Sequence, residues 1–189
     1  LQSLVNFAHA GTSYTDYEKQ AVNISECMQE ALTLISLDKK SKDVEIQIEC
    51  EDELQILGDA QKLLQVMVNL LNNARDASVP GSNILMQAMR VGNRAKITVT
   101  DDGFGIPAAI RDRVFDPFFT TKEAGEGTGL GLSLVFSIVE DLGGDIDIIS
   151  PINKSRGTGT QVVAWFSEFH DDSDTEIERH DEAQFRRSR

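Results

Sequence analysis

The amino-acid sequence predicts an α+β two-layer sandwich, in which strands form a sheet and helices gather on one of its faces. Apolar residues recur with helical spacing in three segments and alternate with polar residues in six others. Two of the alternating segments are separated by only three residues, a distance that suits an antiparallel hairpin. The predicted order is helix, two strands, helix, hairpin, long loop, helix and two strands.

The first half of the chain contains two predicted helices with two strands between them. In the segment that starts at Val22, the apolar residues from Ile24 to Ile35 are spaced for one helix face, and Asn23 or Ser25 can cap the start of this helix. The stretch VEIQIE alternates strictly, and a shorter strand follows around LQIL. We expect Asp59 to open the second helix and Pro80 to end it.

The second half begins with the hairpin, formed by ILMQAMRV and AKITVTD around a Gly-Asn turn. The stretch between Gly103 and Gly127 is irregular, and long irregular loops inside compact domains are often functional. Residues 134–142 have helical spacing and stop at Gly143 and Gly144. The stretches GDIDIIS and TQVVAWF then predict two more strands.

Length and composition predict one domain with appendages. Among 189 residues, we expect a helical remnant and linker over 1–20, the folded domain over 21–166 and an acidic, disordered tail over 167–189. The net charge of −13 disfavours binding to nucleic acid. No apolar run approaches the roughly 18 residues of a membrane span, and the N-terminus does not resemble a signal peptide. Cys27 and Cys50 lack zinc-ligand spacing, so we interpret them as reduced thiols of a cytoplasmic protein.

The segment GEGTGLGLSL places glycine at positions 125, 127, 129 and 131, directly before a helix-like stretch. Glycine inside a helix costs about 1 kcal/mol relative to alanine, so this spacing needs a reason. Backbone amides without neighbouring Cβ atoms can approach phosphate oxygens, and the N-terminus of the following helix adds free N–H donors. The segment therefore suggests a phosphate site, with a merely flexible loop as the alternative.

The predicted second helix carries an amide-rich stripe beside its apolar stripe. Gln65, Asn69 and Asn73 recur every four residues and share one helix face. Carboxamide oxygens can hold a hard cation such as Mg²⁺, which takes its other ligands from water and phosphate. A solvated helix face is the alternative.

Two further stretches suggest ligand contacts. In TVTDDGFGIP, Asp101 ends a strand beside Gly103 and Gly105, and a carboxylate next to bare backbone suits the amino group of a flat ligand. An ordinary Asp-Gly turn is the alternative. In FDPFFTTK, three phenylalanines precede Lys122; they can pin a mobile lid while the lysine reaches a phosphate, or they can form a simple loop core.

Two common nucleotide motifs are missing from the sequence. It contains no Gly-Lys pair of a Walker A loop, and its G-x-G-x-G spacing lacks the third interval of a dinucleotide fingerprint.

Taken in order, the motifs resemble those of the catalytic, ATP-binding domain of bacterial sensor histidine kinases, in the superfamily of DNA gyrase, the heat-shock 90 chaperones and MutL. NLLNNARDA is similar to the N box, DDGFGIP to the first glycine box, FDPFFTTK to the F box and GEGTGLGL to the second glycine box. GTGT, at 157–160, is similar to the weaker final glycine motif. The resemblance covers about residues 22–166. It implies a Bergerat-type fold with a mixed, largely antiparallel sheet and a long ATP lid.

The resemblance also implies roles for individual residues. Asn73 and Asn69 would coordinate the Mg²⁺ that bridges the ATP phosphates, and Lys122 would contact the γ-phosphate; these three form the implied catalytic set. Asp101 would accept the adenine amino group. The remaining nucleotide contacts would be Gly103, Gly105, Ile106, Gly127, Thr128, Gly129, Leu130, Gly131 and Leu132. NARDA is similar to the nitrogen-regulation and dicarboxylate sensors, so we assign no phosphate contact to Arg75.

The implied reaction transfers the γ-phosphoryl of ATP to a histidine on a dimerisation helix, for relay to an aspartate of a response regulator receiver domain. His9, His170 and His180 lack the acidic and Asn-Pro context of a phosphoacceptor, so we expect that helix outside this chain. Such a chain would bind Mg-ATP without autophosphorylating, as a monomer or weak dimer of a homodimeric parent. We expect a cytoplasmic location, whether or not the parent is anchored in the inner membrane.

Two alternatives stay open. An ATP-hydrolysing clamp of the gyrase or MutL type would carry a glutamate one turn before the metal-binding Asn, to activate water as a general base. That position is Asn69, which cannot accept a proton, so hydrolysis should be slow. The other alternative is a non-catalytic module that senses ATP or docks a partner. The presence of both Asn73 and Asp101 argues against this alternative, because loss of either residue would be typical of such a module.

Overall fold

The computed structural model describes residues 19–37, 44–122 and 127–170. Apart from residues 19, 20 and 167–170, the predicted N-terminal remnant and acidic tail lie outside the described residues, together with His9 and His180. In chain order the elements are β1 (Gln20–Asn23), α1 (Ile24–Ser36), β2 (Glu45–Cys50), β3 (Gln55–Gly58), α2 (Ala60–Ala77), β4 (Asn83–Val91), β5 (Arg94–Asp101), a 3₁₀ helix (Ala108–Arg113), α3 (Gly131–Asp141), β6 (Asp145–Ile149) and β7 (Thr160–Ser167).

Five strands form the main sheet in the order β2-β4-β5-β7-β6. The β4–β5 hairpin is antiparallel and turns at Gly92, as predicted. β7 pairs antiparallel with both β5 and β6, whereas β2 pairs parallel with β4. The predicted α+β sandwich with a mixed, largely antiparallel sheet is therefore confirmed.

A second, two-stranded sheet was not predicted. β1 pairs antiparallel with β3, so that Val22 lies opposite Ile56. This pairing holds Val22 in a strand, and α1 begins at Ile24 with Asn23, one of the two predicted caps, as its N-cap. β3 has a further neighbour: Glu168 forms a bridge with Ile56, and the backbone N–H of Phe169 donates to the carbonyl oxygen of Gln55 over 2.9 Å.

The helices form the second layer and share one hydrophobic core with the sheet. The apolar stripe predicted on α2 is buried and packs against α1, α3 and the sheet. The buried members of the predicted stripe are Leu63, Val66, Met67, Leu70 and Ala74, whereas its last member, Ala77, is half-buried; Leu71, outside the predicted stripe, is buried as well. Because this stripe faces the core, the amide stripe lies at its margin, next to α3. No helix within the three described ranges is long and apolar enough to cross a membrane.

Asp59 caps the N-terminus of α2, as the sequence predicted. Its Oδ1 accepts from the backbone N–H groups of Gln61 and Lys62, over 2.8 and 3.2 Å. Asp59→Ala should lower the free energy of unfolding by about 1 kcal/mol, because two helix-end donors lose their acceptor. Urea denaturation measures this loss. Asp52→Ala, at an exposed turn, is the control, and an equal loss in both variants would contradict a specific capping role.

Candidate nucleotide-binding site

The structure brings the amide stripe of α2 to the first turn of α3. A Cβ atom on Gly131, the first residue of α3, would lie 3.5 Å from Oδ1 of Asn69 and 3.7 Å from Oδ1 of Asn73. The Nδ2 of Asn69 donates to the carbonyl oxygen of Gln65 over 2.8 Å. Because its own helix satisfies the amino end, the Asn69 carboxamide presents its oxygen to α3.

Asn73 has unused hydrogen-bonding capacity at this position. Its Nδ2 is buried and has no hydrogen-bond partner among the described residues. Buried polar atoms in proteins are nearly always paired, so an orphan of this kind indicates a ligand or an ordered water. Two adjacent carboxamide groups can also hold a hard cation through their oxygens. Within the described parts of the chain there is no cluster of three His, Cys, Asp or Glu side chains that offers a rival metal site.

The N-terminus of α3 is open to a ligand. Leu130 is the N-cap and makes no side-chain capping bond, and none of the side chains in the described ranges accepts from the first N–H groups of α3. The Oγ1 of Thr128 only reaches the Leu130 N–H, over a long 3.4 Å. An N-terminus of this kind favours anions through its free donors and its dipole. Leu132, in the first turn of α3, packs its side chain against the hydrophobic core.

Asp101 lies at the end of β5 and is only 6% exposed. Its Oδ1 accepts from the Gly103 N–H over 2.9 Å, and the carboxylate also accepts from the backbone N–H of Thr160. Burial raises the pKa of Asp101 to about 6, although both hydrogen bonds oppose the shift. At neutral pH the group is therefore a buried carboxylate, an acceptor suited to an amino group.

The two glycine motifs beside Asp101 pack against each other. A Cβ on Gly103 would lie 2.3 Å from the carbonyl oxygen of Ala77, at the end of α2, so only glycine fits there. A Cβ on Gly105 would lie 2.9 Å from the carbonyl oxygen of Gly157, and the Gly159 N–H donates to the Gly103 oxygen over 2.8 Å. The GTGT motif and the first glycine box therefore form one wall around Asp101.

Lys122 is paired with a carboxylate in this structure. Its Nζ forms an ion pair with Oδ2 of Asp76, which lies on α2 three residues after Asn73. A Cβ on Gly127 would lie 3.0 Å from Cδ of Lys122, so the start of the second glycine box is adjacent. The structure thus places Lys122 beside the amide stripe and gives it a carboxylate partner that the sequence did not reveal.

The phenylalanines of FDPFFTTK connect the irregular stretch to α3. The rings of Phe115 and Phe136 are 5.5 Å apart, centroid to centroid, and the guanidinium of Arg113 lies 4.7 Å from the centre of the Phe119 ring. Phe118 is 69% exposed. Phe115 therefore anchors this stretch to α3, Phe119 packs on Arg113 within the stretch itself, and Phe118 faces solvent.

Comparison with known proteins identifies the family of this domain. The sequence model of the family "Histidine kinase-, DNA gyrase B-, and HSP90-like ATPase" matches residues 58–169. The chain belongs to this ATPase family. Among curated proteins, it is 39% identical over 147 residues to sensor histidine kinase ZraS of Escherichia coli K12, and 33% identical over 159 residues to sporulation kinase B of Bacillus subtilis. These matches cover 77% and 80% of this chain, but only 30% and 36% of the relatives.

Solved structures agree with the sequence comparison. The mycobacterial sensor histidine kinase MprB superposes with a TM-score of 0.72 at 26% identity, covering 79% of this chain and 97% of that one. The catalytic domain of histidine kinase ThkA gives a TM-score of 0.69 at 28% identity, covering 80% and 96%. The chain is thus an ATP-binding domain of the sensor histidine kinase type, which confirms the predicted resemblance. It spans about a third of the length of its curated relatives.

Two residues near the site of this ATPase-family domain escaped the sequence analysis. The role of Asp76 could not be predicted from the sequence, because its ion pair with Lys122, 46 positions away, is a tertiary contact. Ser150 accepts from the Ile106 N–H over 2.7 Å and joins the wall around Asp101, although it lies in an unremarkable loop sequence. Arg75 is buried and donates to Asn72 over 2.8 Å, so it is directed into the protein.

Substitution of Gly129 tests whether the second glycine box packs closely against the FDPFFTTK stretch. The φ of Gly129 is +65°, and a Cβ would lie 2.4 Å from the carbonyl carbon of Phe118. Gly129→Ala should lower both the free energy of unfolding, by about 2–3 kcal/mol, and the affinity for nucleotide, because the loop must shift away from Phe118. Gly92→Ala is the matched control, with φ +64° and open space around it, and should cost only about 1 kcal/mol. Equal effects of the two substitutions in urea denaturation and ligand titration would contradict the close packing.

Proposed function

We propose that this chain is the catalytic domain of a two-component sensor histidine kinase. It binds Mg-ATP and transfers the γ-phosphoryl to a histidine on a dimerisation helix, for relay to an aspartate of a response regulator receiver domain. The observation that carries the proposal is the convergence of Asn69 and Asn73 on the open N-terminus of α3. Amide oxygens and free backbone donors at one point match a metal-bound triphosphate.

The side chains fit the implied Mg²⁺. Asn73 and Asn69 would hold the ion through their amide oxygens, and the unpaired Nδ2 of Asn73, a hydrogen-bond donor, would be available to a phosphate oxygen rather than to the metal. When bound, Mg²⁺ neutralises charge on the phosphate oxygens, which is the main requirement of phosphoryl transfer. Gly127, Thr128, Gly129, Leu130, Gly131 and Leu132 would contact the phosphates through the loop and the start of α3.

Asp101 would bind the adenine base at the other end of the site. A carboxylate that already accepts from two backbone N–H groups is fixed in orientation, and it still has lone pairs for an amino group. Gly103, Gly105 and Ile106 would lie along the base. Burial excludes water from this contact, so the carboxylate can discriminate strongly between an amino group and an oxo group.

Transfer to histidine is favoured over hydrolysis by the residue that precedes Asn73 by one turn. Asn69 stands there, and a carboxamide cannot remove a proton from water. The site can still position the triphosphate and neutralise its charge. These two effects suffice for transfer to an imidazole, which is already a nucleophile and needs no general base. Lys122 would exchange its Asp76 partner for the γ-phosphate when nucleotide binds.

The partners of the reaction follow from the same proposal. The phosphoacceptor helix domain would dock near α3, where Phe118, Leu134 and Phe136 leave apolar surface exposed. The full-length parent would be a homodimer in the cytoplasm or at the inner membrane, with this domain on the cytoplasmic side. The NARDA sequence supports the nitrogen-regulation or dicarboxylate-sensor subgroup.

A binding experiment followed by a transfer experiment tests the proposal. Calorimetric titration with a non-hydrolysable ATP analogue, with and without Mg²⁺, should show binding that strengthens with the metal. Radiolabelled ATP, together with the separately produced phosphoacceptor helix domain of the parent, should then give acid-labile label on that helix. Steady phosphate release without label would indicate a hydrolytic clamp instead. Absence of nucleotide binding would contradict the proposal altogether.

A further inference from the structure

An ion pair between Lys122 and Asp76 lies at the margin of the proposed phosphate site. Lys122 is the last residue of the FDPFFTTK stretch, and its Nζ contacts Oδ2 of Asp76 on α2. Asn73, which meets the first turn of α3, precedes Asp76 by three residues, so the two side chains are neighbours on the surface of α2. A carboxylate therefore stands beside the place where phosphate oxygens would lie, although the binding of phosphate does not itself call for a negative charge.

The backbone and the stem of Lys122 are held separately from its ammonium group. The Lys122 N–H donates to Oγ1 of Thr120 over 3.1 Å. A Cβ on Gly127 would lie 2.7 Å from that oxygen and 3.0 Å from Cδ of Lys122, so the second glycine box begins directly against this lysine. Because the stem of a lysine is flexible, its ammonium group can exchange one partner for another while the backbone stays in place.

The carboxylate of Asp76 and the γ-phosphate of ATP would compete for this one cation. An ammonium group carries a single positive charge, and two anions brought to it together repel each other. The γ-phosphate carries more negative charge than a carboxylate, so Lys122 exchanges partners when ATP is bound. ADP has no γ-phosphate, so the pair with Asp76 persists in the ADP complex. Breaking the ion pair therefore weakens the binding of ATP and leaves the binding of ADP unaffected.

We propose that Asp76 is a positioning residue that limits the preference of the site for ATP over ADP, by holding Lys122 whenever the γ-phosphate is absent. The inference rests on the proposed function, in which Lys122 contacts the γ-phosphate. The side chains of Lys122 and Asp76 are 36% and 38% exposed, so solvent weakens the pair. The expected effect on affinity is accordingly a few-fold.

Asp76→Asn should raise the affinity for a non-hydrolysable ATP analogue about 2- to 5-fold, because the analogue no longer has to break an ion pair. Affinity for ADP should change little, so the ratio of the two affinities rises by about the same factor. Calorimetric titration of the full chain with the ATP analogue and with ADP, both in the presence of Mg²⁺, measures this ratio.

Lys122→Met separates competition for the lysine from direct repulsion between Asp76 and the phosphates. The substitution should lower the ratio about 10-fold, since one charge-assisted hydrogen bond to the γ-phosphate is lost. Asp76→Asn added to Lys122→Met should then change the ratio no further.

Asp141→Asn is the matched control for Asp76→Asn. It breaks another ion pair between helices, in which Oδ2 of Asp141 on α3 lies 3.2 Å from Nζ of Lys62 on α2. The lysine of this pair is also 36% exposed. Loss of the control pair should leave the ratio of the two affinities unchanged.

The outcomes separate this inference from the proposed function. If the unmodified chain binds neither nucleotide, the assignment of the nucleotide site is wrong and the inference fails with it. If the chain binds both but Asp76→Asn leaves the ratio unchanged, or raises it equally in the Lys122→Met background, the positioning role of Asp76 is overturned while the nucleotide site stands. A ratio that rises in Asp76→Asn, and does not rise when Lys122 is absent, supports the role.

Discussion

Asn73→Ala is expected to lower the rate of phosphoryl transfer about 100- to 1,000-fold, the usual effect of removing one group that stabilises transition-state charge. The side chain meets the N-terminus of α3, where the phosphates and the metal ion would lie. Its Nδ2 has no hydrogen-bond partner within the described parts of the chain, so its removal leaves no such partner stranded there. Single-turnover transfer of radiolabel from ATP to the phosphoacceptor helix domain measures the rate.

Gln65→Ala is the matched control for Asn73→Ala. Gln65 belongs to the same amide stripe two turns earlier, and its side chain is exposed. Its removal should leave transfer nearly unchanged, and circular dichroism should show both variants folded. Comparable rates for Asn73→Ala and the unmodified chain would exclude Asn73 from the metal site.

Asp101→Asn is expected to lower ATP affinity about 10- to 100-fold, since a buried charge-assisted hydrogen bond to the base is replaced by a weaker or repulsive contact. The amide also fits its own surroundings poorly. Asp101 accepts from the N–H groups of Gly103 and Thr160, and an amide has only one acceptor atom to offer them. Titration with the non-hydrolysable ATP analogue measures the loss, and Asp102→Asn, at the exposed neighbour, should bind normally.

The titration of Asp101 gives an independent test of its role. Its folded-state pKa is raised from 3.8 to about 6, so the folded protein holds this proton more tightly than the unfolded chain. The resulting stabilisation is fully present below pH 3.8 and is lost as the pH rises through about 6, with a total of order 1–3 kcal/mol. ATP affinity should change in the opposite sense, because protonation below pH 6 removes the carboxylate that accepts the amino group.

Asp101→Asn should abolish this part of the pH dependence. Urea denaturation between pH 4 and 7 should show a smaller fall in the free energy of unfolding for the variant than for the unmodified chain, because the amide does not titrate. Loss of affinity together with an unchanged or improved stability would identify Asp101 as a residue retained for ligand binding. Parallel pH profiles for the two proteins would show that burial does not perturb Asp101.

The sequence predicted the long, periodic elements well because their burial pattern is local. The apolar stripe of α2 and the alternation of β4 and β5 are each visible within one segment, and each is confirmed. The sequence did not predict β1, since four residues with two exposed positions carry no periodic signal. The pairing of β3 with β1 on one side and with Glu168 on the other is a tertiary feature that no single segment encodes.

The site was predicted in part for the same reason. Asn69, Asn73 and Asp101 stand in short motifs whose residue types already suggest cation and base contacts. Asp76 and Ser150 act through partners distant in the sequence, Lys122 and Ile106 respectively. An isolated aspartate or serine has many ordinary uses in a protein, so only the three-dimensional arrangement distinguishes these two.

The position of β3 has a mechanical consequence. The incoming strand β1 pairs with one side of β3, and the outgoing residues Glu168 and Phe169 bond to Gln55 and Ile56 of the same strand. Tension applied at Gln20 and at Phe169 would therefore meet on one four-residue strand. Glu168 also bonds to the Asn93 carbonyl oxygen and pairs with Arg90, so part of the load would enter the five-stranded sheet at the β4–β5 hairpin, at the end of β5 opposite to Asp101.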